Sequence, residues 1–322
     1  MNSPSWTTIT DDVKLKIIPY LDYESRCNMK LCSKSDYDLV DASKAFKANK
    51  FSISEVRGNM DNEKTTIRID IDTFNIWFIG KGNVTRVDVG WNDKVGLSVV
   101  KQELRHDLVR KFLEKYHLKF GAIHADTINI VMFDHAPSPH WKIKCTNLTM
   151  YELRGGHDVA WLNQCTSQKF QKLDISRTHG PNIQVDQRML KTSRLLRLGM
   201  RSNMNDEQLA MVNATDFIVL SDEITERGFR IFLEHFLVNS HEEDRTEITM
   251  ALPRDFDHKK LIPETIKFKE TENVHGLQTP RRMRVRYTPE KAEITCELWK
   301  NLRRRRISLP SMAMEDSDDE DE

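Results

Sequence analysis

Few residues in this sequence have the spacing of a catalytic or metal-binding site. His135 and His140 flank an Ala-Pro-Ser-Pro segment near Asp134, and side chains of these types could ligate a metal ion. Because two prolines favour a turn at this place, we predict no metal site there. Gly80-Lys81-Gly82 lies between two predicted strands, where a hairpin turn is favoured over a phosphate-binding loop.

The sequence contains none of the common catalytic motifs that we sought. It lacks the nucleophile-elbow, Walker-type and HExxH patterns, and it has no paired CxxC. Its five cysteines are an odd number and mostly far apart, which indicates reduced thiols in the core rather than disulfides or zinc ligands. We therefore predict that the chain is not an enzyme and that it uses no cofactor and no metal.

Composition and charge favour a folded, soluble protein. The 322 residues are 39% hydrophobic, and 49 basic residues balance 49 acidic ones. A net charge of zero gives no reason to expect nucleic acid as the main partner. The first residues lack a basic and apolar leader, and no apolar run approaches the ~18 residues of a membrane span. The sequence thus predicts a protein of the cytoplasm or nucleus without a membrane partner.

Helical spacing prevails from Trp6 to Phe46 and predicts three short helices. Pro19 should end the first helix, Asp22 should cap the second, and the third should begin after Ser33 or Ser35. A broad apolar face on the first helix consists of Val13, Ile17 and Leu21, with Leu15 and Ile18 beside them. Three helices of this length bury little by themselves, so we expect a partner or a following domain to cover that face.

Between Phe51 and Trp91 the apolar period changes to two, which predicts a β-meander with a hairpin at residues 80–83. Residues 98–119 return to helical spacing and predict a helix. Beyond residue 120, short strands and helices alternate. Strands are predicted at Ile128–Phe133, Asn147–Leu153, Lys172–Ile175, Leu195–Met200, Phe217–Leu220 and Glu247–Leu252, and helices at Asp158–Cys165, Asn205–Val212 and Thr225–Val238.

Leucines recur about every 25 residues in the alternating region, at Leu148, Leu173 and Leu198. This period lies in the range of leucine-rich and related βα repeats, but the asparagine ladder of true leucine-rich repeats is missing. The sequence predicts an α+β fold in which three helices precede a mixed α/β domain. It leaves open whether that domain is a short βα solenoid or an irregular sheet. If the sheet curves, its predicted substrate-binding face holds Thr149, Tyr151, Asp174, Arg197 and Arg201.

The C-terminal region carries blocks of charge. Arg281–Tyr287 alternates basic and apolar residues, as an exposed strand would, and Arg303–Arg306 precedes an acidic tail. Two interpretations stay open: the arginines could bind RNA or act as a nuclear-import signal, or they could lie in a solvated strand and pair with the tail. Ser308 and Ser317 lie in contexts that suit basophilic and acidophilic kinases, respectively.

Two short motifs of the helical region resemble the F-box family. Ile17–Asp22 matches an Ile-x-x-x-Leu-Asp motif, and Cys32-Ser33-Lys34 matches a Val/Cys-Ser-Lys motif. The resemblance covers about Trp6–Asp41, and the residue sequence there is similar to that of the expanded F-box families of nematodes. The sequence departs from the family at Thr10, where proline is usual, and after the Ser-Lys motif, where a common tryptophan is absent.

The resemblance implies an adaptor role. In F-box proteins the N-terminal helices dock a Skp-family adaptor and so join the chain to a cullin-RING ubiquitin ligase. The residues that the resemblance places at this interface are Ile9, Val13, Leu15, Ile17, Ile18, Leu21 and Cys32. An ordinary helical subdomain packed on the body of the protein is the other interpretation of the same region.

Residues 147–167 and 216–240 are similar to the F-box-associated regions of nematode proteins, which implies a substrate-recruiting module. The implied organisation is an F-box at 1–48, an α/β substrate-recruiting domain at 49–302, and a disordered tail at 303–322. The predicted function is substrate recognition for a Skp-cullin-F-box ubiquitin ligase, with a protein substrate that the sequence does not identify. The alternative is a protein- or RNA-interaction scaffold that uses the basic C-terminal segment.

Overall fold

The computed structural model describes residues 6–299 apart from 44–45, 57–64, 154, 240–244, 252–267, 272–273, 278–281 and 289–292, with side chains to residue 232, Lys81 excepted. The predicted tail at 303–322 therefore lies outside the described residues. In the part of the chain that the structure covers, no helix is long and apolar enough to cross a bilayer.

Three short helices lie between residues 11 and 42, where the sequence predicts three, although the third ends at Ala42 and does not reach Phe46. Pro19 ends the first helix, since α1 stops at Ile17 and a single 3-10 turn follows. Asp22 caps the second helix by accepting a hydrogen bond from the Ser25 backbone N–H at 2.6 Å, and Ser33 caps the third in the same way. The helices are α1 (Asp11–Ile17), α2 (Tyr23–Cys32) and α3 (Lys34–Ala42).

A β-meander follows the helices and confirms the predicted change of period. Its strands are antiparallel neighbours in chain order from the first to the fifth. Lys81 pairs with Val84, so the predicted hairpin has a two-residue turn, in which Gly82 adopts a positive φ of 61°. The strands are β1 (Ala48–Val56), β2 (Thr65–Ile71), β3 (Phe74–Lys81), β4 (Val84–Trp91) and β5 (Lys94–Lys101).

The helix predicted over residues 98–119 is wrong in its first turns. Residues 94–101 form strand β5, and the helix α4 spans Arg105–Phe120. Asn92 and Asp93 both have positive φ, at 50° and 63°, which is the geometry of a tight hairpin turn. That turn returns the chain alongside β4 and so fixes the following residues as a strand.

Parallel strands and helices then alternate in the order that the sequence predicts. β1 pairs in parallel with β6, and β6, β8, β9, β10, β11 and β12 are successive parallel neighbours. The short β7 pairs with β6. These elements are β6 (Ile123–Val131), β7 (Ile143–Lys144), β8 (Asn147–Tyr151), α5 (His157–Gln164), β9 (Lys172–Ser176), α6 (Gln187–Leu190), β10 (Leu195–Ser202), α7 (Asp206–Ala210), β11 (Asp216–Ser221), α8 (Glu226–Asn239) and β12 (Arg245–Ala251).

Four further strands complete the mixed sheet, which has 16 strands in the part of the chain that the structure describes. They are antiparallel neighbours in chain order, and the last of them pairs with β12. The strand predicted at residues 281–287 is confirmed as β15. It pairs with a neighbouring strand on each side. The structure does not describe its arginine side chains. The strands are β13 (Phe268–Thr271), β14 (Val274–Leu277), β15 (Arg282–Thr288) and β16 (Glu293–Trp299).

The two faces of the parallel region differ in polarity. On one face Leu148, Leu173 and Leu196 lie in one paired row and are fully buried. Buried side chains of the intervening helices, such as Trp161 and Leu209, belong to the same core. The predicted 25-residue spacing of Leu148 and Leu173 therefore corresponds to two neighbouring strands that present the same side to the helices. The opposite face of the sheet carries mainly polar residues.

Candidate functional site

The three N-terminal helices, which we call the helical unit (residues 6–42), have a small core of their own. This core consists of Ile18, Met29, Leu39 and Val40, with Trp6 and Leu21 packed partly against it. Four buried side chains give little hydrophobic stabilisation. The helical unit therefore needs other interactions to keep its shape.

A polar cluster around Asp36 ties the ends of the helical unit together. The buried Asp36 carboxylate accepts hydrogen bonds from the Trp6 indole N–H at 3.0 Å and from the Ser33 hydroxyl at 2.8 Å. The Lys14 ammonium lies 3.5 Å from the same carboxylate. These hydrogen bonds and the nearby Lys14 charge hold the pKa of Asp36 below its usual value. Asp36 thus fixes α1 and the preceding turn to α3.

Tyr23 anchors the helical unit to the sheet domain. Its ring lies 4.9 Å from the ring of Phe74 and 5.7 Å from that of Phe46. Arg26, one helical turn later, is buried and stacks over Phe46 at 4.7 Å. These contacts bury one side of α2 against the rest of the chain.

Polar contacts supplement this junction. Lys119, at the end of α4, lies 3.2 Å from the Asp41 carboxylate of α3. Thr73, in the turn between β2 and β3, donates a hydrogen bond to Glu24 at 3.0 Å. The helical unit is therefore docked on the sheet domain by one definite side, which leaves its other sides to solvent.

Outside that junction the helical unit carries exposed apolar side chains. Leu31 and Tyr20 are 84% and 89% exposed, although each is large and apolar or aromatic. Val13, Leu15 and Tyr37 are 45%, 36% and 46% exposed. We call these five residues the outer apolar residues. Exposed apolar side chains grouped on one small unit mark a surface for interaction with another molecule.

The structure distributes the predicted adaptor-binding residues over three environments. Val13, Leu15 and Cys32 are exposed, and Ile9, Ile17 and Leu21 are half-buried. Ile18 is 0% exposed because it lies in the helical unit's own core. The described geometry does not bring all seven together on one face.

The helical periodicity of α1 explains this division. Lys14 and Ile18, four residues apart, both point inward and are buried. Val13 and Ile17 lie together on one flank of that inward line, whereas Leu15 lies on the other flank. The broad apolar face predicted for the first helix is thus two strips separated by a buried lysine.

Sequence reasoning missed three of the outer apolar residues, namely Tyr20, Leu31 and Tyr37. The structure identifies Leu31 as outward-facing, because the buried residues of α2 are Arg26 and Met29. A residue two positions after Met29 points to the opposite side of the helix.

The predicted substrate-binding residues lie together on the polar face of the parallel strands, which we call the open sheet face. Thr149 of β8, Asp174 of β9 and Arg197 of β10 are directly paired in one row across three strands. The Arg197 guanidinium lies 3.6 Å from the Asp174 carboxylate. Tyr151 is exposed on the same face two residues beyond Thr149, and Arg201 is exposed further along β10.

The open sheet face offers both charges and hydrogen-bonding groups. Asn129 of β6 extends the row on the side of Thr149. Arg201 pairs with Asp222 after β11. Exposed arginine, tyrosine and aspartate side chains of this kind suit recognition of a polar protein segment.

The histidines weighed as metal ligands contact different partners. His140 lies 2.8 Å from the Glu114 carboxylate, which also accepts a hydrogen bond from the Trp141 indole at 2.8 Å. His135 packs against His106, with ring centres 4.2 Å apart. Among the residues for which side chains are described, no three His, Cys, Asp or Glu residues are grouped so as to hold a metal ion.

Comparison with known proteins gives one informative similarity. No family model matches the sequence, and no solved structure matches the chain. The chain is 22% identical over 303 residues to an F-box protein of Caenorhabditis elegans described as uncharacterized. The similarity covers 82% of this chain and 74% of the relative, so it extends well beyond the helical unit into the sheet domain. This chain is a distant homologue of a nematode F-box protein.

Proposed function

We propose that this chain is a substrate-recognition adaptor of a Skp-cullin-F-box ubiquitin ligase. The helical unit docks a Skp-family adaptor, and the sheet domain recruits a protein substrate. The observation that carries the proposal is the exposure of Val13, Leu15 and Leu31 on a helical unit that packs against the sheet domain through other residues, such as Tyr23. Distant homology to an F-box protein supports it at the level of the family.

The docking step follows from the physical state of the helical unit. Its core is small and its outer apolar residues contact water, so a partner helix that covered them would gain hydrophobic free energy. The Asp36 cluster and the Tyr23 anchor hold the three helices in place before the partner arrives. A pre-formed surface loses less conformational entropy on binding than a flexible one.

The proposed domain boundaries follow from these two roles, adaptor docking and substrate recruitment. Residues 1–48 form the adaptor-docking domain, 49–302 form the substrate-recruiting domain, and 303–322 form a tail. Within the second domain, the successive parallel pairing of β6, β8, β9, β10, β11 and β12 supports a short βα solenoid whose helices cover one side. The other side, the open sheet face, is the substrate-binding surface, with Thr149, Tyr151, Asp174, Arg197 and Arg201 as its contact residues.

An adaptor of this kind performs no bond-making or bond-breaking step. Its contribution is to hold a substrate close to the subunits that transfer ubiquitin, which raises the effective concentration of the substrate lysines. The proposal therefore requires binding residues at both ends of the molecule and no catalytic group between them.

Co-expression with a Skp-family adaptor from Caenorhabditis elegans tests the docking step. The wild-type chain should elute with the adaptor as one complex in size-exclusion chromatography. A variant with Val13→Glu and Leu15→Glu should elute alone at the position of a folded monomer. Leu118→Glu is the matched control, because Leu118 is a 69% exposed leucine on α4, outside the helical unit. If the wild-type chain and the adaptor elute separately, the proposal is wrong.

A further inference from the structure

Strand β5 lies at the edge of the sheet and is exposed along its whole length. In the strand order of the described residues it is the last strand beside β4, and all eight of its residues are exposed. Half of them are apolar, and Leu97 and Val100 are 58% and 62% exposed. An edge strand presents backbone N–H and C=O groups that no neighbouring strand has paired.

The apolar face of the meander continues onto this edge. Leu97 pairs with Val89 and Val99 pairs with Val87, and both valines of β4 pack partly against the main core. Helix α4 packs mainly on β2, β3 and β6, and Leu97 and Val99 are 58% and 37% exposed. Leu97 and Val99 therefore extend the core face of the meander to an edge that is open to solvent.

Charge protects this edge only at its ends. Natural edge strands commonly carry charged side chains or proline within the strand, which prevent pairing with another chain. Here Lys94 and Lys101 are the first and last residues of β5, and the six residues between them are uncharged. Within the described part of the chain, neither lysine takes part in an ion pair, whereas Arg86 of β4 pairs with Asp88.

The two lysines also indicate what kind of strand fits. A second copy of β5 contains no acidic residue, so it would leave both lysines without an opposite charge across the edge. A strand with acidic residues at its ends would instead pair with both lysines. Apolar side chains at alternate positions would lie on Leu97 and Val99.

We propose that β5 is a docking edge for an extended peptide segment that adds to the sheet as a further strand. The segment has apolar residues at alternate positions and acidic residues at both ends. Backbone hydrogen bonds provide affinity, and the lysines and the face formed by Leu97 and Val99 provide selectivity. This edge is separate from the helical unit and from the open sheet face, so the inference does not depend on the ligase function.

Fluorescence anisotropy with the full chain tests the inference. The probe is a fluorescein-labelled peptide of alternating valine and threonine with two glutamates at each end. One comparison peptide has lysines in place of the glutamates, and another carries N-methyl groups on alternate backbone nitrogens. The acidic peptide should bind at least tenfold more tightly than either comparison peptide.

Variants of β5 locate the binding. Leu97→Lys should weaken the acidic peptide at least tenfold, whereas Leu118→Lys, at an exposed leucine elsewhere, should leave it unchanged. The double variant Lys94→Glu and Lys101→Glu should reverse the preference toward the lysine-ended peptide, which keeps the test decisive if Leu97→Lys fails to fold. Equal affinity for both peptides, undetectable binding, or a dimer in sedimentation that Leu97→Lys dissolves would overturn the proposal.

Discussion

Replacing Val13 and Leu15 by glutamate should abolish adaptor docking while the chain stays folded. Full burial of a valine or leucine side chain contributes about 1.5–3 kcal/mol. Since Val13 and Leu15 are 45% and 36% exposed, covering what remains of the two gives about 1–2.5 kcal/mol. Two carboxylates trapped without partners in the interface would each cost roughly 1–3 kcal/mol more.

These contributions amount to at least about 3 kcal/mol, and about 1.4 kcal/mol corresponds to a tenfold change in Kd. We therefore expect the double variant to bind a Skp-family adaptor at least roughly 100-fold more weakly in isothermal titration calorimetry. Its stability should change little, because substitutions at exposed positions usually have small effects and glutamate forms helix well. Circular dichroism melting measures that stability.

The matched control is Leu118→Glu, which should bind like the wild type. A folded double variant whose Kd lies within threefold of the wild-type value would refute the assignment of the docking surface. An equal loss of binding in the control would show that added negative charge, rather than the position of the charge, weakens the complex.

Three further outcomes follow from buried polar groups. Asp158→Ala should destabilise the chain by about 3–5 kcal/mol in urea unfolding, because it leaves the Arg177 guanidinium buried without the carboxylate that lies 2.7 Å away. Asp36→Ala should speed amide hydrogen exchange in the first helix, because the first helix loses its contact with the third. The pKa of Asp36 is depressed, so the wild-type chain should lose the same protection only as the pH falls below the carboxyl's ordinary pKa of 3.8. Burial and neighbouring charges lower the pKa of His106 and His117 from 6.5, so the folded chain binds fewer protons than the unfolded chain just below that pH, and its melting temperature should fall as the pH is lowered from 7 to 5.

Local sequence signals predicted much of the fold. Pro19 predicted the end of the first helix, because proline removes a backbone donor. Asp22 predicted the start of the second, because an aspartate side chain can cap free N–H groups. The alternating strands of the parallel region were equally visible, since one face of each is buried. These features depend on residues close together in sequence.

The remaining features depend on contacts between distant residues. The Val-Gly-Leu-Ser-Val-Val segment of β5 fits either a helix or a strand, and pairing with β4 decides for a strand. Lysine is a residue type that is seldom buried, yet Lys14 is buried beside Asp36, 22 positions later. The pairing of β1 with β6, which joins the meander to the parallel strands, is likewise not written in any local pattern.

The candidate site was predictable in place but not in detail. The spacing of Val13, Ile17 and Leu21 indicated an apolar helical surface, and the structure keeps Val13 exposed as that interpretation requires. Ile18 is buried because it lies about one helical turn after the buried Lys14, a relation that an apolar count cannot show. The interface roles of all these residues, and those of the open sheet face, stay predictions.

Hydrogen exchange of the full chain, with and without a purified Skp-family adaptor, tests the central claim most directly. The adaptor should slow exchange in α1 and in the α2 turn that contains Leu31, while exchange on β8, β9 and β10 stays unchanged. If the adaptor leaves the helical unit unprotected, or protects the open sheet face instead, the account of how this chain docks is contradicted.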